Sequence, residues 1–263
     1  MSGTTYLTSM TDSRPRIATF TNTRARLGVL LPSGNRLAEP QFSVMLPQGV
    51  TMHTTRLRLN GSSESELLKM TEGVEEAVSL VADARVDLIL FHCTAVSTFS
   101  QALEKDVLAR MRRSSGVPVT ATSEALVAAL RAVNARKIVM LSPYIDAIND
   151  REAAYVRAAG FEIVFLAGMS LNDADAMSAV TPAQWKAFVL SNQHADADAY
   201  LISCTTVRAT EVAQELEVLL GKPVVTSNTA AVWHCLRTLG LHDTPSGFGK
   251  LFLLNSTPSL INC

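Results

Sequence analysis

The chain has neither a marked excess of charge nor a long apolar run. Its 263 residues hold 23 Lys and Arg against 24 Asp and Glu, which gives a formal net charge of −1. The chain therefore lacks the net positive charge that is typical of proteins that bind nucleic acid or an anionic membrane surface. No segment approaches the roughly 20 consecutive apolar residues that span a bilayer. We therefore expect neither a nucleic-acid partner nor a membrane partner.

Cysteine is scarce, and several well-known ligand motifs are missing. The chain has four cysteines, which are too few for a disulfide framework at this length: Cys93, Cys204, Cys235 and Cys263. None belongs to a CxxC pair or a Cys/His cluster with zinc-ligand spacing. A Gly-x-Gly-x-x-Gly turn, a Walker A loop and a serine nucleophile elbow are also absent from the sequence. We expect a cytoplasmic protein with reduced thiols, no bound metal and neither nucleotide nor classical hydrolase chemistry.

Short apolar runs alternate with amphipathic segments along the whole chain. With 48% hydrophobic and 18% charged residues, the composition is typical of a compact globular protein. The alternation predicts an α/β fold in which helices flank parallel strands. The predicted strands cover residues 27–31, 50–54, 88–91, 118–121, 137–141, 162–166, 200–202 and 223–226. The longest predicted helix covers residues 64–84, and Ser63 is its N-cap.

The order of these elements occurs twice. Cys93 and Cys204 each end an apolar strand, and each precedes a threonine, a predicted helix and a Gly-x-Pro-Val strand. The repeat predicts two similar lobes, each a parallel four-stranded sheet flanked by helices, related by a pseudo-twofold with the active site between them. The expected divisions are a partly ordered leader at 1–24, an N-terminal lobe at 25–133, a C-terminal lobe at 134–240 and a tail at 241–263 that packs back on a lobe.

The two matched cysteines are the strongest functional signal. Because residues past the carboxyl ends of parallel strands line the ligand crevice, Cys93 and Cys204 are predicted to face one substrate from opposite sides. Helix N-termini and the hydroxyls of Thr94, Thr205 and Thr206 predict lowered thiol pKa values. A thiolate opposite a thiol suits proton exchange beside a carboxylate, or addition across an activated double bond. The alternative, buried structural cysteines, is disfavoured by their matching positions.

The other cysteines and a neighbouring histidine are interpreted as supporting residues. Cys235 lies in a predicted helix beside Trp233 and is interpreted as core, whereas Cys263 is expected to be exposed at the last position. His92 directly precedes Cys93. Because side chains alternate along a strand, His92 points away from the thiol, and we interpret it as a core or supporting histidine rather than half of a Cys–His dyad.

Neutral hydrogen-bond donors follow the first strand of each predicted lobe. Asn35 ends the polar turn at residues 32–35, and Tyr144 occupies the equivalent turn of the second lobe. The only basic residue close behind a predicted cysteine turn is Arg208, for which a solvated surface position is the alternative. Neutral donors together with helix N-termini favour a small dianion as the ligand.

Seven motifs carry a resemblance to a known superfamily. They are Leu31-Pro32-Ser33-Gly34-Asn35, Leu46-Pro47 followed by Gly49-Val50, Cys93-Thr94, Ser142-Pro143-Tyr144-Ile145 with Asn149, Ser203-Cys204-Thr205 and the segments 221–228 and 247–252. Together they resemble the aspartate/glutamate racemase superfamily, and within it the branch of maleate cis–trans isomerases and arylmalonate decarboxylases. The resemblance covers residues 27–252.

The resemblance implies an enzyme without metal or organic cofactor that acts on a small carboxylate and forms a homo-oligomer, either a dimer or a tetramer. In maleate isomerases the first cysteine adds to the double bond, and the resulting succinyl-thioether rotates and then eliminates. On this resemblance Cys93 is the nucleophile and Cys204 is the proton donor and acceptor. The carboxylate-binding residues are then Asn35, Tyr144 and, in the loop after the next strand, Asn172.

The leading hypothesis is cis–trans isomerisation of maleate or a substituted maleate. Arylmalonate decarboxylases resemble the chain at residues 144–146 but have glycine at the position of Cys93, which disfavours that activity. Racemases of amino acids or hydantoins have both cysteines and stay open, because residues 205–208 differ from the best-known maleate isomerases. Outside enzymes, the alternative is a small-molecule binding module that has lost catalysis.

Overall fold

Two parallel four-stranded sheets form the framework of the molecule. The computed structural model describes residues 22–59, 61 and 63–255; most of the predicted leader and Cys263 lie outside them. The first sheet contains β1 (Ala25–Pro32), β2 (Val50–Leu57), β3 (Leu88–Phe91) and β4 (Val119–Ala121), in the spatial order β2-β1-β3-β4. The second contains β5 (Lys137–Tyr144), β6 (Glu162–Leu171), β7 (Ala199–Ile202) and β8 (Val224–Thr226), in the order β6-β5-β7-β8. The matching orders confirm the predicted fold of two similar parallel lobes.

Helices connect the strands and cover both faces of the sheets. Those of the first lobe are α1 (Ala38–Met45), α2 (Glu64–Met70), α3 (Val74–Ala82), α4 (Thr94–Ser97), α5 (Gln101–Ser115) and α6 (Thr122–Ala132). Those of the second are α7 (Asp146–Ala158), α8 (Ala174–Ala179), α9 (Pro182–Ser191), α10 (Ala213–Leu220) and α11 (Ser227–Thr238). Short 3₁₀ helices lie at Thr71–Gly73, Arg208–Val212 and Lys250–Leu253. Within the described part of the chain, no helix is long and apolar enough to cross a bilayer.

The predicted continuous helix at residues 64–84 is wrong in one respect, because it is broken in the middle. Ser63 accepts the predicted capping bond from the backbone of Glu66 at the start of α2. A 3₁₀ turn at Thr71–Gly73 then separates α2 from α3. The Thr71 hydroxyl donates to the carbonyl of Leu68, and such back-bonding competes with regular helical hydrogen bonds. The spacing of apolar residues predicts which face of the helix is buried. It does not predict a side-chain hydrogen bond that interrupts the helix.

The largest apolar cluster is shared by the two lobes. It joins Leu27 and Leu31 of β1 to Ile138 of β5 and to Trp233 of α11, all fully buried. Sharing one core fixes the lobes against each other, since protein interiors are close-packed and resist sliding. The carboxyl ends of strands in different lobes are therefore held at a constant separation.

The chain beyond α11 returns to pack on that helix. Phe252, in the last 3₁₀ turn, is fully buried in the shared core. Trp233 Nε1 donates to the carbonyl of Leu254 at 3.0 Å, and Arg237 Nη2 donates to the carbonyl of Phe252 at 2.7 Å. These bonds hold the segment that follows residue 249 against the second lobe.

A glycine on β6 gives the first prediction. Gly168 pairs with Ser142, and an added Cβ would overlap the carbonyl of Tyr144 and the side-chain amide of Asn149. We expect Gly168→Ala to lower the free energy of unfolding by about 1–3 kcal/mol, because neither group can move without breaking its hydrogen bonds. Urea unfolding measures this loss. The control is Gly73→Ala, where the added Cβ meets only Leu57 at 3.5 Å; an equal loss there would contradict the steric explanation.

Candidate active site

The carboxyl ends of strands from both lobes meet around a small cavity. Pro32 ends β1 and Asn35 follows it, and Cys93 follows β3; from the second lobe come Tyr144, at the end of β5, and Thr205, after β7. The cavity volume is about 100 Å³. That is roughly three times the ~30 Å³ that a water molecule occupies in the liquid. The space therefore fits a small organic acid better than the drug-sized ligands that take about 300 Å³ or more.

Six of the eight predicted site residues line this cavity: Asn35, Cys93, Tyr144, Asn172, Thr205 and Thr206. Thr94 and Cys204 do not, although both are buried. The Thr94 hydroxyl donates to Ser227 Oγ at 2.9 Å, away from the cavity. The Cys204 thiol accepts a hydrogen bond from the Thr206 backbone N–H at 3.3 Å, and the Tyr144 hydroxyl lies close enough to it to lower its pKa. Two cavity-lining residues thus contact Cys204 directly.

Asn35 is held rigidly by its own backbone neighbourhood. Its Oδ1 accepts from the N–H groups of Leu37 and Ala38, at 3.0 and 2.9 Å, where the chain enters α1. The amide nitrogen therefore points into the site, and it donates to Thr205 Oγ1 at 3.0 Å. Because this oxygen serves as the acceptor, the hydroxyl hydrogen of Thr205 remains available to a ligand. The pair joins the two lobes at a point suited to a carboxylate.

Among the residues that the structure describes, no lysine or arginine lines the cavity. Among the described residues that line it, Asp173 carries the only formal charge. Its carboxylate caps α8 by accepting from the Ala176 N–H at 2.7 Å. The remaining wall is apolar and includes Leu59, Leu67, Ile148 and Met177. Within the part of the chain that the structure describes, no group of three or more His, Cys, Asp or Glu side chains is placed to hold a metal ion.

The two cysteines have different backbones although their strands match. Cys93 is extended, with φ −149°, and the backbone N–H groups of Val96 and Ala95 at the start of α4 lie close enough to its thiol to lower its pKa in part. Cys204 has φ +101°, a left-handed conformation that costs a non-glycine residue about 1–3 kcal/mol. Its N–H donates to Ser227 Oγ at 3.1 Å. Such strain persists only where surrounding contacts impose it, which marks this turn as a functional element.

One hydroxyl links the two cysteine turns. Ser227 Oγ, at the start of α11, accepts both from Thr94 Oγ1 of the first lobe and from the Cys204 N–H of the second. The sequence places Ser227 in a polar turn but gives no sign of this bridge, because its partners lie 133 and 23 residues away. The bridge holds the two cysteine turns together.

The predicted lowering of the thiol pKa values is wrong. Burial raises the pKa of Cys93 to about 12 and that of Cys204 to about 11. Backbone N–H donors oppose the shift in both thiols but do not outweigh desolvation. A charge on Cys204 would raise the pKa of Cys93 further, which shows that the two thiols interact. Both thiols are therefore protonated at neutral pH.

A buried carboxyl group behind Cys204 was not predicted from the sequence. Glu152 of α7 is fully buried, and its Oε1 accepts from the Ser203 hydroxyl at 2.5 Å. Its Oε2 has no hydrogen-bond partner. Burial raises the pKa of Glu152 to about 7, and a charge there would raise the pKa of both Cys204 and Tyr144. Asp150 and Arg151 directly precede Glu152, and three consecutive charged residues are typical of a solvent-exposed helix face. No local sequence pattern therefore distinguishes Glu152 as a buried residue.

The buried carboxyl predicts a pH-dependent stability. Between about pH 4.5 and pH 7 the folded protein keeps the Glu152 proton whereas the unfolded chain releases it, so the free energy of unfolding falls as pH rises. The full shift corresponds to about 3 kcal/mol. Glu152→Gln keeps an oxygen for Ser203 but cannot ionise, so we expect urea unfolding of this variant to lose most of that pH dependence. The exposed Glu76→Gln is the control; if it flattens the pH profile equally, Glu152 is not the cause.

Comparison with known proteins gives consistent relatives. A model of the arylmalonate decarboxylase family matches residues 27–252. Maleate isomerase of Pseudomonas putida is 25% identical over 240 residues, which cover 86% of this chain and 96% of that enzyme. Arylmalonate decarboxylase of Bordetella bronchiseptica is 30% identical over 145 residues, or 54% of this chain and 60% of that enzyme. A solved mutant of Nocardia farcinica maleate cis–trans isomerase, with a covalently bound succinylcysteine intermediate, is 26% identical with a TM-score of 0.80 and covers 87% of this chain and 98% of its own.

Two similar parallel lobes, with a cysteine after the third strand of each, define a member of the aspartate/glutamate racemase superfamily, in its maleate isomerase and arylmalonate decarboxylase branch. This confirms the superfamily and the branch predicted from the sequence. The match over residues 27–252 is more specific: the chain belongs to the arylmalonate decarboxylase family.

Proposed function

We propose that the chain catalyses the cofactor-independent cis–trans isomerisation of maleate to fumarate. The observation that carries this proposal is the presence of a thiol at the cavity wall, Cys93, with a second interacting thiol, Cys204, behind Tyr144. Near full-length relatives named maleate isomerase support the function predicted from the sequence, as does the succinylcysteine intermediate of the Nocardia farcinica mutant.

The substrate's carboxylates are assigned to the neutral donors on the two sides of the cavity. One carboxylate accepts a hydrogen bond from the Thr205 hydroxyl, beside Asn35. The other accepts from the side-chain amide of Asn172 and from the hydroxyl of Tyr144. Without a cation in the lining, the dianion is held by dipoles, as it is at many anion sites.

The chemistry follows from two neutral thiols. Cys93 sulfur bonds to one alkene carbon while the Cys204 thiol gives its proton to the other, and Cys204 receives the proton that Cys93 loses. One C=C π bond and one S–H bond are replaced by a C–S bond and a C–H bond, so no external acid or base is consumed. Rotation about the new single bond and the reverse transfers then release the trans product.

The site supports maleate better than the arylmalonates. The cavity of about 100 Å³ leaves little room for an aromatic ring in addition to two carboxylates. In addition, a nucleophilic thiol is not needed to remove carbon dioxide from a malonate, whereas addition to a double bond needs one.

The function is tested by proton NMR of the purified protein with maleate in D₂O. We expect the maleate signal to be replaced by fumarate. Parallel samples with phenylmalonate and with amino acids or hydantoins test decarboxylation and racemisation. If a folded sample with alkylatable thiols gives no fumarate, the proposal is wrong, and the parallel samples identify which related reaction replaces it.

Three further predictions from the sequence belong to this proposal. We assign the protein to the cytoplasm, where its buried free cysteines stay reduced. We also expect a homo-oligomer, a dimer or a tetramer. The division at residues 25–133 and 134–240 remains our proposal for the two lobes.

A further inference from the structure

His92 lies where the two lobes meet, and the isomerisation assigned above gives it no role. It follows β3, is fully buried, and its ring packs on Phe42 of α1 with centroids 4.9 Å apart. Its Nδ1 lies 3.0 Å from Thr122 Oγ1, in its own lobe. Its Nε2 lies 2.9 Å from Asn228 Oδ1, on α11 of the other lobe. Each ring nitrogen of His92 is therefore within hydrogen-bonding distance of a different lobe. These two contacts fix the orientation of the ring, which apolar packing alone does not require.

Two backbone carbonyls fix which atoms donate in the hydrogen bonds between Gln41, Asn228 and His92, because a carbonyl oxygen can only accept. Gln41 Nε2 donates to the carbonyl of Val207 at 2.9 Å, so Gln41 Oε1 faces Asn228. Asn228 Nδ2 donates to that oxygen at 2.5 Å and to the carbonyl of Thr205 at 3.2 Å. Asn228 Oδ1 must therefore accept from His92, whose Nε2 carries a hydrogen.

The other ring nitrogen is then an acceptor. Burial lowers the pKa of His92 to about 4, so the ring is neutral and Nδ1 has no hydrogen. Thr122 Oγ1 lies 3.0 Å from Nδ1 and 3.2 Å from the carbonyl of Phe91, so it shares its single hydrogen between these two acceptors. The hydrogen bonds run in one direction, from Thr122 through His92 and Asn228 to the carbonyl of Thr205, with a branch through Gln41 to the carbonyl of Val207.

We propose that His92 is a positioning residue whose Nε2–H orients Asn228 and thereby holds the turn at residues 204–207 so that Cys204 faces Cys93. The proposal rests on the function assigned to the two cysteines. The turn needs such support because Cys204 is strained at φ +101°. Without the His92 donor, Asn228 Oδ1 is buried and unpaired, and the amide gains by rotating away from Thr205.

Loss of this support is expected to affect catalysis more than substrate binding. Thr205 stays tied to Asn35 through its hydroxyl oxygen, at 3.0 Å, and its carbonyl, at 3.3 Å, so the carboxylate site survives. Cys204 lies one residue before that tie, and among the described residues its hydrogen-bonded link to the first lobe is the indirect one through Ser227 Oγ, which accepts from the Cys204 N–H and from Thr94. A displacement of about 1 Å at a reacting group can cost on the order of 100-fold in rate.

The first test measures the tautomer directly and needs no activity. In protein labelled with ¹⁵N-histidine, long-range ¹H–¹⁵N correlation spectra distinguish Nε2–H, Nδ1–H and doubly protonated rings. The signal of His92 is the one that disappears in His92→Gln. We expect the Nε2–H form throughout about pH 6 to pH 8. An Nδ1–H ring or a cation would overturn the proposal.

The second test compares variants. His92→Leu removes both bonds, and we expect kcat for maleate to fall about 100-fold while KM changes less than about threefold. His92→Gln can donate to Asn228 and accept from Thr122, so it should restore kcat to within about threefold. The matched control is His234→Leu. His234 is also buried and forms a hydrogen bond with Thr120 at 3.0 Å, which lies outside the chain of bonds that runs from His92 to the 204–207 turn.

The outcomes separate positioning from general packing. An equal loss of kcat in His234→Leu, or no recovery in His92→Gln, would overturn the proposal. If His92→Leu does not fold, Asn228→Asp takes its place: a carboxylate still accepts from Nε2–H but cannot donate to Thr205, so the same loss of kcat is expected.

A third measurement keeps this inference separate from the proposed function. Iodoacetamide labelling followed by peptide mass spectrometry gives the alkylation rate of Cys204, with Cys235 as the internal reference. We expect His92→Leu or Asn228→Asp to raise the Cys204 rate about tenfold without changing that of Cys235, because local opening controls access to buried thiols. If the rate is unchanged, the positioning role is wrong; if fumarate never forms but the rate rises, only the maleate assignment is wrong.

Discussion

Replacing Cys93 by alanine is expected to abolish the conversion of maleate to fumarate. Cys93 is the thiol at the cavity wall, and without its sulfur no bond to the alkene carbon can form. The double bond then never becomes a single bond about which the carboxylates can rotate. We expect a loss of kcat on the order of 10⁴-fold or more, as is typical when a covalent nucleophile is removed. Integration of the fumarate NMR signal measures it.

The control for this variant is Cys235→Ala. Cys235 is also buried and lies in α11, but it belongs to the shared core and does not line the cavity. Its replacement should cost some stability and leave the turnover number close to that of the wild type. A Cys93→Ala protein that retains substantial activity would show that another group attacks the substrate.

Replacing Cys204 by serine is expected to trap the covalent intermediate. Removing a positioned acid–base group costs about 10²–10⁴-fold, and an alcohol is far harder to ionise than a thiol. The step most affected is removal of the proton from the succinyl group, since it needs a base. We therefore expect slow turnover and a mass increase of one maleate on the peptide that contains Cys93.

Intact-protein mass spectrometry after addition of maleate measures the trapped fraction, and peptide mapping locates it. An adduct on Cys235 in place of Cys93 would contradict the assignment of the nucleophile. Full turnover without an adduct would remove Cys204 from the mechanism.

Some sequence predictions hold because they depend on periodicity and repetition. Strands such as β3 and β7 are short apolar runs in the middle of a buried sheet, where propensity and burial agree. Two Cys-Thr turns at the ends of such strands predict neighbouring thiols, because equivalent elements of a pseudo-twofold fold face each other. The same reasoning predicts Asn35 and Tyr144, which both line the cavity.

Other predictions fail because they depend on what surrounds a group. Helix N-termini and hydroxyls beside Cys93 predict a low thiol pKa, but desolvation raises it to about 12. The helix predicted at residues 64–84 has the correct buried side but is broken at Thr71–Gly73 by a local hydrogen bond. In both cases the sequence shows which groups contribute. It does not show which of the opposing effects is larger.

The sequence by itself determined the two parallel lobes, the pairing of Cys93 with Cys204 and the neutral donors at the strand ends, because these follow from local patterns that occur twice. Only the tertiary structure decided the protonation of the thiols, the burial of Glu152 and the hydrogen bonds that run from His92 across the lobes. Those properties depend on desolvation and on partners far apart in the chain: His92 and Asn228 are 136 residues apart. Only packing brings such groups within hydrogen-bonding distance and removes water from around them.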